Sequence, residues 1–311
     1  MLHVPILCEE VVENLVIRPK GIYMDCTVGF GGHSESILKK LDNKGWLLGV
    51  ELDPYALKNA NKKLSQNYKN FSFYNCSYVD FPQILTKNKL KTIDGFLFDL
   101  GISSYQVNSS HRGFSYQSNG PLDMRFNPED KNKNSAKDIL NSISQERLTE
   151  ILKLYSEDKN YRKISKSIIN YREKNGITTT DDLKNAVNNV TPYQKKNKTL
   201  SKVFQAIRII VNDEINILKN TLKSTLNHLN VDGRIAVITF HSIEDRIVKH
   251  FFNNNVFYKD TKTYDIEYKN SEYKLNPINK KPFLPSLDEI KKNSRSRSAK
   301  LRIAKKAPHV I

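Results

Sequence analysis

The chain is predicted to fold as an α/β protein, a doubly wound parallel sheet interrupted by an all-helical insert. Three observations predict this. Apolar strand-like runs recur at 21–25, 46–50, 71–75, 93–99 and 234–240, with helix-like segments between the first ones, which is the βαβ alternation of a parallel sheet. A glycine-rich turn, Asp25-Cys26-Thr27-Val28-Gly29-Phe30-Gly31-Gly32-His33, joins the first run to a helix-like stretch beginning near Ser34. Between the last two runs, from about Tyr105 to Thr199, no buried strand is legible, and amphipathic segments take its place.

The first run, Gly21-Ile22-Tyr23-Met24, enters the glycine turn and leaves it as a helix with His33 and Ser34 at Ncap or N1. Gly31 and Gly32 let bare backbone approach a ligand and present N–H donors at the positive end of that helix. The second run, Trp46-Leu47-Leu48-Gly49-Val50, ends in Glu51, close to where a doubly wound fold sets a carboxylate on a ribose diol. Together these imply a nucleoside-bearing cofactor. The order Gly29-x-Gly31-Gly32 fits the dinucleotide fingerprint G-x-G-x-x-G poorly. A tight turn with no ligand is the alternative for the glycines alone.

The run Ile93-Asp94-Gly95-Phe96-Leu97-Phe98 ends in Asp99-Leu100-Gly101-Ile102-Ser103-Ser104-Tyr105-Gln106. Ligands in open α/β sheets bind beyond the carboxyl ends of the strands, so this loop belongs beside the glycine turn and Glu51. The segments Ile139 to Tyr155, Ile164 to Lys174 and Asp181 to Val190 read as the helices of the insert. The sheet domain then resumes with a helix from Phe204 to Asn212 continuing through Leu218 and Leu226, the turn Val231-Asp232-Gly233 and the strand from Arg234 to Phe240. The predicted boundaries are 1–105 for the first part of the sheet domain, 106–203 for the insert and 204–311 for the second part with a basic tail. In that tail, Ser294-Arg295-Ser296-Arg297-Ser298 precedes an alternating stretch, Ala299 to Ala304. It reads as a final edge strand flanked by phosphate-seeking cations or as a disordered basic tail.

Composition narrows the partners. Fifty Lys and Arg against 33 Asp and Glu leave a net charge of +17, which suits a polyanion such as nucleic acid; solvated surface lysines are the plainer explanation. Cys8, Cys26 and Cys76 lack C-x-x-C spacing, which argues against a disulfide framework and a zinc site and for a reducing cytoplasm. Cys26 reads as a small packed residue of the turn. The start carries no basic leader and no apolar stretch reaches a membrane-spanning length, so neither export nor insertion is expected.

Three long segments make the reading specific: Asp99 to Gln106, His111-Arg112-Gly113-Phe114-Ser115, and Gly120-Pro121-Leu122-Asp123-Met124-Arg125-Phe126. They resemble the signatures of the RsmH (MraW) family, ribosomal small-subunit RNA cytosine-N4 methyltransferases. Further matches run from His3-Val4-Pro5-Ile6-Leu7 through Gly29 to Ser34, Phe204 to Asn212 and Phe240 to Lys249, so the resemblance covers nearly the whole chain. It implies a Rossmann-like methyltransferase sheet, an insert that helps recognise RNA, S-adenosylmethionine as methyl donor, and a decoding-site cytosine of small-subunit (16S) ribosomal RNA as target.

Carried over residue by residue, the resemblance implies a cofactor site of Gly31, Gly32, His33, Glu51, Tyr78, Asp99 and Gln106. Asp99, Ser103 and Ser104 would act at the target amino group, Asp99 either as proton acceptor or as hydrogen-bond partner. No metal is implied. Many members have Asp where this chain has Glu51 and Phe where it has Tyr78; both swaps keep the chemistry. Tyr105 stands where Pro is frequent. A cytosine-C5 enzyme would need a cysteine nucleophile, and this loop has none.

His241 reads as orienting the base or as packing its loop. Arg112, Arg125 and Arg208 read as phosphate clamps or as ties through Asp123 and Glu244, and Tyr105, Phe114 and Phe126 as stacking platforms or core. The expected partner is small-subunit ribosomal RNA or the assembled subunit, met by a cytoplasmic monomer or homodimer. The alternatives are an amino-methyltransferase acting on another RNA or DNA, and a non-catalytic ribosome-assembly factor.

Overall fold

The computed structural model describes residues 5–259, 266–270 and 272–308. His3 and Val4 of the N-terminal motif lie outside the described residues. The chain divides into two compact units, one of residues 1–101 with 216–311 and one of residues 102–215.

The first unit is built on strands β1 (Ile22–Asp25), β2 (Trp46–Val50), β3 (Phe71–Tyr74), β4 (Ile93–Asp99), β5 (Leu229–Thr239), β6 (Val256–Tyr258), β7 (Ile266–Lys269), β8 (Leu275–Pro277) and β9 (Lys300–Lys306). Seven of them form one sheet in the order β3-β2-β1-β4-β5-β9-β8, while β6 and β7 pair separately. The first five are mutually parallel; β9 runs antiparallel to both β5 and β8. The strand order reverses between β1 and β4, so the ligand crevice of such a sheet opens at their carboxyl ends. β4 reads as a mostly apolar run because all its residues except the terminal Asp99 are buried, as a strand covered on both faces requires. Tyr23, Ile37, Leu38, Leu47, Leu97, Ala236 and Ile238 share one core with Val11 and Leu15 of the helix Cys8–Leu15.

Several expectations are corrected here. The tail strand is internal: β8 covers its outer side, and Ile278 and Phe283 donate backbone hydrogen bonds to β9 carbonyls. The tail is ordered, with a helix Leu287–Lys292 and a 3-10 turn Ser294–Ser298 before β9. The turn Val231–Gly233 interrupts β5, whose pairing with β4 jumps from Leu229 opposite Ile93 to Arg234 opposite Gly95. The helix expected from Phe204 through Leu226 breaks at Asp213, whose φ of 53° is left-handed, into Lys196–Asn212 and Glu214–His228.

The second unit is helical: Ser104–Asn108, Ala136–Ser142, Gln145–Tyr155, Tyr161–Asn175, Thr180–Asn188 and Lys196–Asn212. The segment read as one helix, Ile139 to Tyr155, is two, because Ile143 is extended and Ser144 caps the second helix on the Arg147 N–H. Leu140, Leu148, Ile168, Leu183, Val203 and Ile207 belong to a single apolar cluster.

The 111–126 motifs hold this unit together. Arg112 is buried and donates to the carbonyls of Arg125 and Phe126. Arg125 grips Asp123 through two guanidinium nitrogens, and Asn212 bonds Met124 O and Phe126 N. Gly113 has φ of 74°, and a Cβ there would lie 2.5 Å from Asp123 N, so only glycine fits. Phe114 is buried and stacks on Phe126 at 5.9 Å. These aromatics serve the core, and Arg208 pairs with Glu214 in two bonds of 2.8 Å.

Candidate active site

The glycine turn is shaped by a buried acid. Asp25, fully buried at the end of β1, accepts from the Ser34 hydroxyl at 2.6 Å and the Thr27 N–H at 3.1 Å. Burial pushes its carboxyl up to about 6 against the lowering effect of those two donors. The Thr27 hydroxyl accepts the Asp99 N–H at 2.7 Å, locking the turn to the end of β4. Gly29 and Gly31 have φ of 53° and 78°, conformations that L side chains rarely adopt.

The helix after the turn is Gly32–Lys40, with Gly31 as its N-cap. It begins earlier than the sequence suggested, so Gly32 is its first residue and His33 its second. Gly31 is doubly constrained, because a Cβ would approach Leu64 Cδ1 to 3.1 Å and Ala60 Cβ to 3.3 Å. Both belong to the helix Pro54–Leu64, whose N-cap is Asp53, bonded to the N–H groups of Tyr55 and Ala56. Asp53-Pro54 is a legible helix start.

Glu51 follows β2 and ties two loops together. Its Oε2 accepts the Gly29 N–H at 2.7 Å and its Oε1 the Asp53 N–H at 2.8 Å. Burial pushes its carboxyl up to about 7; the two N–H donors pull the other way, and Asp53 and Asp25 add repulsion. Each carboxylate oxygen keeps a second lone pair, as a carboxylate that holds a ribose diol needs.

Tyr78 opens the 3-10 turn Tyr78–Asp80 beyond β3 and meets Phe98 edge to face at 5.6 Å. Asp99 ends β4, with Oδ2 at 3.6 Å from His33 Nε2. Its Oδ1 is buried and takes no hydrogen bond among the described residues. Burial, with the charges of Asp25 and Glu244 added, pushes this carboxyl up to about 8. A buried acceptor with unspent capacity, beside a helix N-terminus and a diol-sized carboxylate, suits the cationic, nucleoside-bearing S-adenosylmethionine.

Glu244 is a contributor that no motif singled out for this role. It is buried, accepts the Phe240 N–H at 2.9 Å and the His241 N–H at 3.3 Å, and faces His241 Nε2 at 3.1 Å. His241 caps the helix Ser242–Asn254 by accepting the Glu244 N–H, the loop-packing role. Cys26 is buried and burial holds its thiol far above the usual range, as a packed thiol should be.

Ser103, Ser104 and Gln106 belong to the second unit. Ser103 caps the helix Ser104–Asn108 by accepting the Gln106 N–H at 3.2 Å, and Gln106 Oε1 accepts the Ser103 N–H at 3.0 Å. This reciprocal box commits one lone pair of the Ser103 hydroxyl to the backbone. The structure thus brings His33 and Asp99 together directly, and ties Glu51 and Asp99 to one turn through Gly29 and Thr27.

A parallel sheet ordered 3-2-1-4-5, a glycine turn at its switch point, a carboxylate after β2 and an acid at the end of β4 define a nucleoside-binding α/β enzyme of the methyltransferase class. The sequence matches the MraW methylase family over residues 1–307. The chain belongs to that family and is an S-adenosylmethionine-dependent methyltransferase. It is 41% identical over 313 residues to the ribosomal RNA small subunit methyltransferase H of Clostridium botulinum (strain Kyoto / Type A2), covering 98% of both chains. It is 43% identical over 308 residues to the protein of the same name from Mycoplasmopsis pulmonis (strain UAB CTIP), covering 98% of this chain and 99% of that one. A solved putative rRNA-methylase from Clostridium thermocellum superposes with a TM-score of 0.44 at 8% identity, over 97% of this chain and 94% of that one. Among the described residues, no helix is long and apolar enough to cross a membrane.

Proposed function

We propose that this enzyme methylates the N4 amino group of a decoding-site cytosine in small-subunit (16S) ribosomal RNA. Small-subunit ribosomal RNA is the substrate named for its relatives at 41–43% identity. The observation that carries the choice of an amino nitrogen is the Asp99 Oδ1 acceptor, buried and without a hydrogen bond among the described residues.

Cytosine N4 is a poor nucleophile because its lone pair is delocalised into the ring. S-adenosylmethionine, when bound, supplies a methyl group activated by a positively charged sulfur. Asp99 accepts a hydrogen bond from the amino group, which localises the lone pair on nitrogen, and takes up the proton released as the N–C bond forms. His33, 3.6 Å away, steadies the carboxylate. Ser103 and Ser104, four and five residues further along the chain, offer hydroxyls to the same amino group. Gly31, Gly32, His33, Glu51, Tyr78, Asp99 and Gln106 form the cofactor site in this reading, with Glu51 on the ribose and Tyr78 beside the adenine. Orientation of the two reactants supplies much of the acceleration.

The insert, 106–203, which in sequence separates the two parts of the methyltransferase domain, 1–105 and 204–311, serves RNA recognition. The enzyme works in the cytoplasm, where its RNA is, as a monomer or homodimer. The test is to incubate the protein with isotopically labelled S-adenosylmethionine and small subunits, or their RNA, from a strain lacking the modification, then digest to nucleosides. Label in N4-methylcytidine is expected. Label in a different nucleoside, or none while the cofactor still binds, rejects the reading.

A further inference from the structure

The active site leaves one concentration of charge unused. Between Lys269 and Lys306 the chain carries twelve cations and three acids. Each cation of β9 has a partner in the fold. Lys300 and Arg302 both reach Asp245, at 3.0 and 2.6 Å, and Lys305 pairs with Asp232 at 3.1 Å. The buried Lys306 ammonium donates to the carbonyls of Leu226 and Leu229.

The other eight are exposed, and six of them lie between residues 280 and 297: Lys280, Lys281, Lys291, Lys292, Arg295 and Arg297. Of the neighbouring acids, Glu289 is turned inward, accepting the N–H groups of Leu7 and Ser286 at 2.9 Å each. Asp288 offsets one charge through a solvent-exposed pair with Lys291 at 3.2 Å, worth little in water. Backbone bonds of Ile278 and Phe283 to β9 and the capping box at Ser286 hold this surface in place.

Topology fixes where it faces. β9 is antiparallel to β5 with Lys300 opposite Thr239, so the residues just before β9 lie at the carboxyl edge of the parallel strands, where Glu51 and Asp99 also lie. The N-terminal segment joins the two: Leu7 bonds Glu289, and Pro5 packs so close to Gly32 that a Cβ there would be 3.3 Å from the proline ring.

We propose that the helix Leu287–Lys292 and the turn Ser294–Ser298 form a docking surface for the phosphate backbone of the substrate RNA, flanking the cofactor site. It rests on the reading of the substrate as RNA. Clustered cations bind such a polyanion by releasing its counterions, without reading bases, so this surface positions the RNA and leaves the choice of nucleotide to the site itself.

The test compares wild type with a Lys291→Gln, Lys292→Gln, Arg295→Gln, Arg297→Gln variant in binding an RNA fragment of the small-subunit decoding region, over a range of salt concentrations. Removing one phosphate-binding cation lowers the log–log salt slope by about 0.7 for single-stranded RNA, so the slope falls by about 3 and affinity at low salt falls at least tenfold. Affinity for S-adenosylmethionine stays at the wild-type value, which also shows that the variant is folded. The milder Lys291→Gln, Lys292→Gln variant shows about half that fall in slope. A control removes four exposed charges from the opposite, amino edge of the strands: Lys20, Lys44, Lys89 and Lys91, each to Gln. A wild-type slope in the test variant, or an equal fall in the control, overturns the proposal. Wild-type protein that binds this RNA with the expected slope yet never methylates it counts against the proposed reaction and leaves the surface standing.

Discussion

Binding of S-adenosylmethionine should expel protons, and the amount follows from two carboxyls. Asp99 titrates at about 8 and Glu51 at about 7 in the free protein, both raised chiefly by burial. At pH 7 they hold about 0.9 and about 0.5 of a proton, roughly 1.4 together. In the proposed site the cationic ligand donates hydrogen bonds to both carboxylates and favours their ionised form, so their protons should leave as it binds. The sign is therefore fixed: affinity rises with pH through the two values and levels off above them. By linkage, binding at pH 6 is weaker than at pH 9 by up to about a thousandfold.

The assay is calorimetry at pH 7 in buffers of different ionisation enthalpy, where the slope of the observed enthalpy counts protons released. The expected count falls from about 1.4 at pH 7 to about 0.1 at pH 9. Glu51→Gln should remove about 0.5 of it and Asp99→Asn about 0.9. An observed enthalpy independent of buffer at pH 7 would refute the reasoning, since neither carboxyl would then be protonated in the free site.

Three further outcomes are expected. Asp99→Asn should cost at least about a hundredfold in methyl transfer yet stabilise the free protein at alkaline pH. The folded-state pKa of about 8 lies above the ordinary carboxylate value, so the wild-type carboxyl contributes stability below pH 4 that is lost as pH rises through 8; melting temperatures of the two proteins that keep a constant difference from pH 4 to 9 would contradict this. Gly31→Ala forces an L residue to φ of 78° against Leu64 and Ala60, a strain of about 1–2 kcal/mol. Calorimetry should show cofactor affinity reduced about tenfold, and wild-type affinity would mean that the shape of the turn is dispensable. Arg208→Met strands the Glu214 carboxylate beside a core helix, with both side chains only about a tenth exposed, at a cost of about 3–5 kcal/mol. Urea unfolding measures it, and a midpoint equal to wild type would show that the pair contributes nothing net.

The parallel sheet was legible because buried strands such as β2 and β4 are written as largely apolar runs, and β1 to β4 follow the runs at 21–25, 46–50, 71–75 and 93–99 within a residue, the edge strand β3 being only half-buried. The glycine turn and the carboxylates at strand ends were legible because they depend on neighbours along the chain. β6, β7 and β8 were not, being three or four residues long with no alternation to mark them.

What the sequence by itself determined is the class of fold, a nucleoside-bearing cofactor and the residues at the ends of β1, β2 and β4, since backbone conformation, helix capping and strand burial are local properties. Only the tertiary structure decided what those residues do. Asp25 stiffens the turn through Ser34, nine residues away, and Glu51 spends one lone pair of each oxygen on Gly29 and Asp53. Burial makes Asp99 a proton-holding group, and the charges of Asp25 and Glu244, 74 and 145 residues distant in sequence, add to that effect. Titration depends on solvent exclusion and on charges brought together through space, and neither is written in the spacing of residues along the chain.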